Sequence, residues 1–304
     1  MTYHVRIDCS SVYELIGSFM LFAHRKWIRN VENGTEWIRR IEQQLPAEWN
    51  THAEKIRKYT LSDFDLLYAM ALERKSQDDI LSYISQLEHA TAEDWTQLKQ
   101  HYGLKSHSFN QERAQLVYVP ALKFWHEQYI SRSIAEWKPI LQNDVEEKSR
   151  LMSKITPSEL IEVATNGVVI PDNSEVSEVI LAPLWHYRPM NQTCTFQGKI
   201  LILYAVDEPD PSDLLPPYSL RRMTRALADD HRLRLLRFVS QKPRTFAEIQ
   251  EHLSLATGTV KHHLAVLRSA GYIRTYWNGK VERISLRQEG LADLSAFLED
   301  YVQS

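Results

Sequence analysis

"LSLATGTVKHHLAVLRSAGYI", Leu253 to Ile273, decides how this chain is read. Ser254-Leu255-Ala256 makes a tight polar break. After it, Val260, Leu264 and Leu267 recur at i, i+4 and i+7, the buried stripe of a helix from Thr257 to Ala270. Thr257, Gly258, Lys261, His262 and Arg268 then project outward, and His263 is expected to pack at the domain edge. Adjacent helical residues point about 100° apart, so His262 and His263 cannot chelate one ion together. Upstream, Thr245-Phe-Ala-Glu248 is a capping box that opens a short helix, Phe246 to Leu253. A short helix, a tight turn and a second helix with small, polar and basic outer residues is a helix-turn-helix. Downstream, "YIRTYW" and "VERISLR" flank Asn278-Gly279, a strong hairpin signal. Helix-turn-helix followed by hairpin makes a winged helix.

Charge supports a polyanion partner for this part. Residues 219–304 hold 14 Lys+Arg against 9 Asp+Glu, a balance of +5, which leaves -8 for the rest of a chain whose net charge is -3. Lys261, Arg268, Arg274 and Lys280 fall on the outer face or the hairpin and are the cations expected to meet phosphate.

A chain of 304 residues with 43% hydrophobic and 25% charged residues accommodates two domains, each with its own core. Its only cysteines, Cys9 and Cys194, imply no disulfide framework and fit a reducing compartment. The opening "MTYHVRIDCSS" lacks the features of a secretory signal, and the apolar run Ile200 to Val206 is too short to span a bilayer. A cytoplasmic protein without membrane association is expected.

The four prolines of "DEPDPSDLLPPYS", Asp207 to Ser219, forbid a continuous helix. They divide the chain into residues 1–206, a linker 207–218 and residues 219–304. Thr2 to Asp8 reads as a short strand, and Ser11-Val-Tyr-Glu14 as a capping box opening a long apolar helix. Thr91-Ala-Glu-Asp94 and Thr156-Pro157-Ser-Glu159 mark further helix starts. Gln111 to Ile155 is helical in pattern with a break near Val119-Pro120. From Gly167 the period changes, and "VVIP", "VSEVILAPLWHY" and "TCTFQGKILILYAV" read as antiparallel strands. The fold class is α+β: a mainly helical N-terminal domain with a small antiparallel sheet, then the C-terminal winged helix.

Other motifs point elsewhere only weakly. "FWHEQYI", Phe124 to Ile130, has Ile130 where a zinc-protease helix needs its second histidine, and the sequence contains no GxSxG, Walker loop or glycine-rich dinucleotide turn. Trp27, Trp37, Trp95, Trp125, Trp137 and Trp185 either pack a core or line a pocket for an organic ligand. Leu291, Leu294 and Leu298, at helical spacing, belong to a core or a dimer interface.

Residues 226–287 resemble the ArsR-type winged-helix repressors. "ALADDHRLRLLRFV" is similar to the family's opening helix, with Arg232 at its usual arginine position. "EIQEHLSLATGTVKHHLAVLRSAGYI" is similar to its helix-turn-helix, including the His-Leu and the Leu-Arg-x-Ala-Gly ending. The first two thirds resemble the long domain carried by some members, through "RIDCSSVYELIGSF" and "EVILAP…ILILYAV". The chain departs from the family at Gln250, where alanine is common, at Ser254, where glycine is usual, and at Ala256, where a serine cap is usual. Thr257 is expected to take over that cap. Metal-sensing relatives carry cysteines before the turn, or histidine with acids on the last helix. "FAEIQEHL" has no cysteine and "GLADLSAFLEDY" no histidine, so the resemblance implies neither metal nor cofactor here.

These readings imply a non-enzymatic DNA-binding transcriptional repressor, a homodimer on palindromic double-stranded DNA. Thr257, Lys261 and His262 are expected at base edges in the major groove, with Gly258 close to the groove edge and Arg268 nearer the backbone. Asn278 and Lys280 of the wing are expected on adjacent DNA. Residues 1–206 are expected to set the dimer spacing and to receive a small organic effector. The rival reading is a small-molecule-binding protein or enzyme whose winged helix mediates assembly instead of DNA binding.

Overall fold

The computed structural model describes every residue except 1, 2, 33, 47, 77, 106–108, 172–174, 210–214, 278–281 and 304. The backbone falls into two units. One is His4–Glu147 with Val176–Val206; the other is Met1–Tyr3 with Lys148–Glu175 and Asp207–Ser304. The linear division at 206 expected from the prolines thus differs from the observed one, in which residues 148–175 go with the C-terminal part.

In the first unit β1 (His4–Ile7) leads into α1 (Ser11–His24). This helix is apolar all round and buried from Ser11 to Ala23, so it is the central element. Its cap is Ser10, which accepts from the Val12 N–H at 3.2 Å. The capping box expected from Ser11 to Glu14 does not form. The Ser11 N–H donates to Asp78 instead, at 2.6 Å, and the Glu14 carboxylate accepts from the Trp185 backbone N–H. There follow α2 (Gly34–Gln44), α3 (Trp49–Arg57), α4 (Ser62–Leu72), α5 (Ile80–His89) and α6 (Ala92–Tyr102). Helices α3, α4 and α5 pack on α1, and α6 packs on α4. The Thr91–Asp94 capping box opens α6 as expected.

From Gln111 to Met152 the chain is helical without the expected break. It runs through α7 (Gln111–Arg113), a π turn (Ala114–Tyr118), α8 (Val119–Trp125), a second π turn (His126–Ile130) and α9 (Ser131–Met152). Pro120 lacks an N–H, and its ring crowds the carbonyl one turn back. The wide turn just ahead of it opens the ladder at that point.

Next in the chain are α10 (Pro157–Thr165) and β2 (Val168–Val169), of the second unit, then β3 (Glu178–Leu184), β4 (Gln192–Phe196) and β5 (Lys199–Ala205). The first unit's sheet has the order β1-β3-β5-β4, with β1, β3 and β5 parallel and only β4 antiparallel to its neighbour. This corrects the expected antiparallel sheet. "EVILAPL" and "KILILYA" are nearly continuous apolar runs buried on both faces, the signature of parallel strands, whereas "QTCTF" partly alternates, as a half-exposed edge does.

The second unit opens with α10, whose Thr156–Glu159 capping box and Pro157 match expectation. It continues with α11 (Tyr218–Leu227), α12 (Asp230–Val239), β6 (Arg244–Thr245), α13 (Phe246–Leu253), α14 (Thr257–Ser269), β7 (Ile273–Tyr276), β8 (Arg283–Leu286) and α15 (Gln288–Gln303). Leu235, Ile249, Val260, Leu264, Leu267, Ile273 and Ile284 share one core. The hairpin β7–β8 is antiparallel as expected. Its Asn278-Gly279 turn lies outside the described residues.

The sheet order β2-β7-β8-β6 puts the strand expected at "VVIP" beside β7 and not among the strands of the first unit, a pairing that the sequence did not announce. β2 lies parallel to β7, pairing Val168 with Thr275 and Val169 with Tyr276. Gly167 makes this approach feasible. Its φ is +116°, its carbonyl accepts from the Thr275 N–H at 2.8 Å, and a Cβ there would stand 2.5 Å from the Ile273 carbonyl oxygen. Gly167→Ala should therefore cost roughly 1–3 kcal/mol in urea denaturation. The control is Gly258→Ala, whose Cβ meets nothing within 4 Å and which should be neutral or stabilising by roughly 0.5–1 kcal/mol. Equal stability of Gly167→Ala and the native chain would contradict the β2–β7 pairing.

Candidate nucleic-acid interface

The Thr245 hydroxyl accepts from the Glu248 N–H at 3.3 Å while the Glu248 carboxylate accepts from the Thr245 N–H at 2.8 Å, which starts α13 as expected. Ser254 ends it with φ +54°, doing the work of the glycine it replaces. The turn then leads into α14, whose cap position is Ala256 with no side-chain acceptor. Thr257 therefore does not take over the cap; it is already the first helical residue. Its hydroxyl accepts from the Gln250 side-chain amide at 3.0 Å, a contact that ties the two helices across the turn.

Val260, Leu264 and Leu267 are buried, as the spacing required, and His263 is only 6% exposed. The opposite face carries Thr257, Gly258, Lys261 and His262, all exposed. Thr259 is exposed beside them and was missed, because it adjoins the first residue of the buried stripe. These side chains form one surface of small, polar and cationic groups.

Arg268 has another occupation. Its Nε donates to the Thr275 hydroxyl at 3.1 Å and a terminal nitrogen to Glu282 at 2.6 Å, so it fastens α14 to the hairpin. Arg274, expected among the phosphate-facing cations, is likewise engaged, by Glu162 at 2.6 Å and Glu289 at 2.9 Å. Asn278 and Lys280 lie outside the described residues. Arg283 on β8 is exposed and was also missed; Ile284, its buried neighbour, implies that outward direction through the two-residue period.

Among the described residues no three His, Cys, Asp or Glu side chains converge as a metal site, and no helix is long and apolar enough to cross a membrane. In the first unit the tryptophans divide between roles. Trp95, Trp125 and Trp137 are fully buried core, and Trp27 borders a cavity of about 400 Å³. A second cavity of about 560 Å³ has a mixed lining, with Met70, Leu98 and Tyr102 beside Glu73, Lys75 and His101.

Comparison with known proteins bears on the C-terminal unit. Residues 229–275 match the family model described as bacterial regulatory protein, arsR family. A probable mercury resistance operon repressor of Streptomyces lividans is 40% identical over 78 residues, which are 26% of this chain and 62% of that protein. The chain thus spans under two thirds of the length of this curated relative. A crystal structure of an ArsR family transcriptional regulator aligns at 27% identity over 28% of this chain and 93% of its own, with a TM-score of 0.26. The homodimeric winged helix-turn-helix DNA-binding domain of a possible ArsR-family regulator from Mycobacterium bovis aligns at 20% identity over 32% of this chain and 91% of its own, with a TM-score of 0.26. Over residues 229–275 this chain is thus similar to the arsR family of bacterial regulatory proteins.

One buried group makes this unit sensitive to acid. Burial holds the His263 imidazole below its ordinary value of 6.5, and Asp229, with Oδ1 3.9 Å away, only partly offsets that; Arg232, His262 and His231 push the same way as burial. A depressed folded value means that the unfolded chain binds the proton more readily. The contribution is present above about pH 6.5 and is lost as pH falls toward the folded value. Thermal melts of the native chain should drop between pH 7.5 and 5.5, and His263→Gln should flatten that slope. Parallel slopes for the two proteins would show that His263 is not responsible.

Proposed function

We propose that this protein is a DNA-binding transcriptional repressor that acts as a homodimer, with α14 in the major groove and the β7–β8 wing on adjacent DNA. The observation that carries this reading is the exposed surface of Thr257, Gly258, Thr259, Lys261 and His262 on a helix whose other face is locked into the core. Short side chains and a glycine let the helix approach base edges closely, and Lys261 and His262 supply donors. Arg268 supports this surface by holding the wing. The repressor role rests on the kind of relative matched. A small organic effector received by residues 1–206 fits the two cavities there.

The double substitution Lys261→Ala/His262→Ala removes donors from an exposed face, so the fold should survive. Specific DNA affinity should fall about tenfold or more in gel-shift titrations, since a good base contact is worth roughly 1–3 kcal/mol. Unchanged affinity would remove α14 from the recognition role.

The homodimer has its own support. Leu294 packs toward the core, while Leu291, Phe297 and Leu298 are each close to 45% exposed and Val302 is 72% exposed along α15. An exposed apolar stripe on a terminal helix is suited to a second copy, and paired half-sites in DNA need two reading helices. Leu298→Glu/Val302→Glu should convert the dimer to a monomer in light scattering. A dimer that persists would place the interface elsewhere.

A further inference from the structure

The cavity of about 400 Å³ in the first unit is formed by α1, the start of α4 and the β3–β4 segment. Its lining includes Met20, Trp27, Asp65, Tyr187, Met190 and Gln192, and no Lys, Arg or His. Asp65 brings a carboxylate to this wall, and the polar group that engages it is the buried thiol of Cys194, a weak donor. Burial raises the Asp65 carboxyl above its ordinary range, and the thiol only partly counters it. Tyr187 is 2% exposed, and its buried hydroxyl is one of several side-chain polar atoms with no hydrogen-bond partner among the described residues. The Trp27 and Tyr187 rings stand 6.2 Å apart, centroid to centroid. Lys26 places its ammonium 5.2 Å from the centroid of the Trp27 ring, so this indole already holds one cation of the chain. The described side chains that line the cavity are thus anionic, electron-rich or neutral, and Lys26 is not among them.

We propose that this cavity binds a small organic cation, an ammonium group carried on an apolar body. Asp65 is its counter-ion, Trp27 and Tyr187 are its π surfaces, and Met20 and Met190 cover the apolar part. Binding itself is independent of DNA; only its use as an effector site rests on the function proposed above.

The test is calorimetric titration of the full-length protein, without DNA, with phenethylammonium, 2-phenylethanol and phenylacetate. These probes share one body and differ in head-group charge. The ammonium should bind at least about tenfold more tightly than the alcohol, with the carboxylate weakest. Asp65→Asn should bring the ammonium down to the level of the alcohol, and Trp27→Leu, at a half-exposed position, should weaken the ammonium severalfold. The ranking is read on the native sequence, so a misfolded Asp65→Asn leaves the test standing. If the alcohol or carboxylate binds as well as the ammonium, if none of the three binds, or if both variants keep native affinity, the cation site is wrong. A gel shift with the ammonium present separates the two ideas. Binding without a change in DNA affinity upholds the site and removes its effector role.

Discussion

The wing is held by a strand that reaches it from more than a hundred residues away in sequence. β2 closes the outer edge of β7, and Gly167 lets the two backbones meet. Beside it, the Glu162 carboxylate accepts from Arg274 at 2.6 Å and lies 3.5 Å from the Arg287 guanidinium. Edge strands left open invite unwanted pairing, and this one is paired within the chain. The consequence reaches α14, because Thr275 on the same strand accepts from Arg268 of that helix. Strap, wing and helix are therefore one bonded assembly.

That assembly explains which cations remain for a partner. Arginines at the wing base look outward in a simple alternation pattern, but Arg268 and Arg274 are committed to Glu282, Glu162 and Glu289. Lys261 and His262 differ, since they stand on the exposed face and pair with no carboxylate among the described residues. The helix they sit on begins without a side-chain cap. A helix N-terminus without a side-chain cap and one flexible ammonium nearby make an electropositive surface without arginine.

Much of this was legible in the sequence, for local reasons. Capping boxes at Thr91, Thr156 and Thr245 depend on residues three apart, and the stripe of Val260, Leu264 and Leu267 on a single helical period. What was not legible depended on distant parts of the chain. Ser11 and Glu14 have the spacing of a box, yet Asp78 and the β3 terminus claim them. The parallel sheet was visible in principle in the continuous apolar runs of β3 and β5, since alternation is absent where both faces are buried. Nothing local marks Val168–Val169 as a wing strand. Thr257, Gly258, Lys261 and His262 face outward as expected while Thr259 was missed, and the partners of Arg268 and Arg274 depend on side chains contributed by the hairpin, α10 and α15.

The same distinction settles the tryptophans. Trp125 lies 4.9 Å from Phe22, 5.2 Å from Trp49 and 4.7 Å from Tyr129 between ring centroids, so its surface is used up in packing. Some of the polar groups around it satisfy one another, although the buried Trp49 indole N–H has no partner among the described residues. The Glu14 carboxylate holds Nδ1 of His186, whose Nε2 meets the Tyr129 hydroxyl at 2.6 Å, and the Trp37 indole donates to that hydroxyl at 2.8 Å. A carboxylate–histidine–tyrosine chain has the parts of a proton relay, but here its lone pairs and protons are taken up within the aromatic core. The opposite condition holds at Tyr187, where a buried hydroxyl lacks a partner beside a cavity. The ligand site proposed in this unit therefore draws on aromatic residues at the border of the core, where Trp27 and Tyr187 meet a cavity.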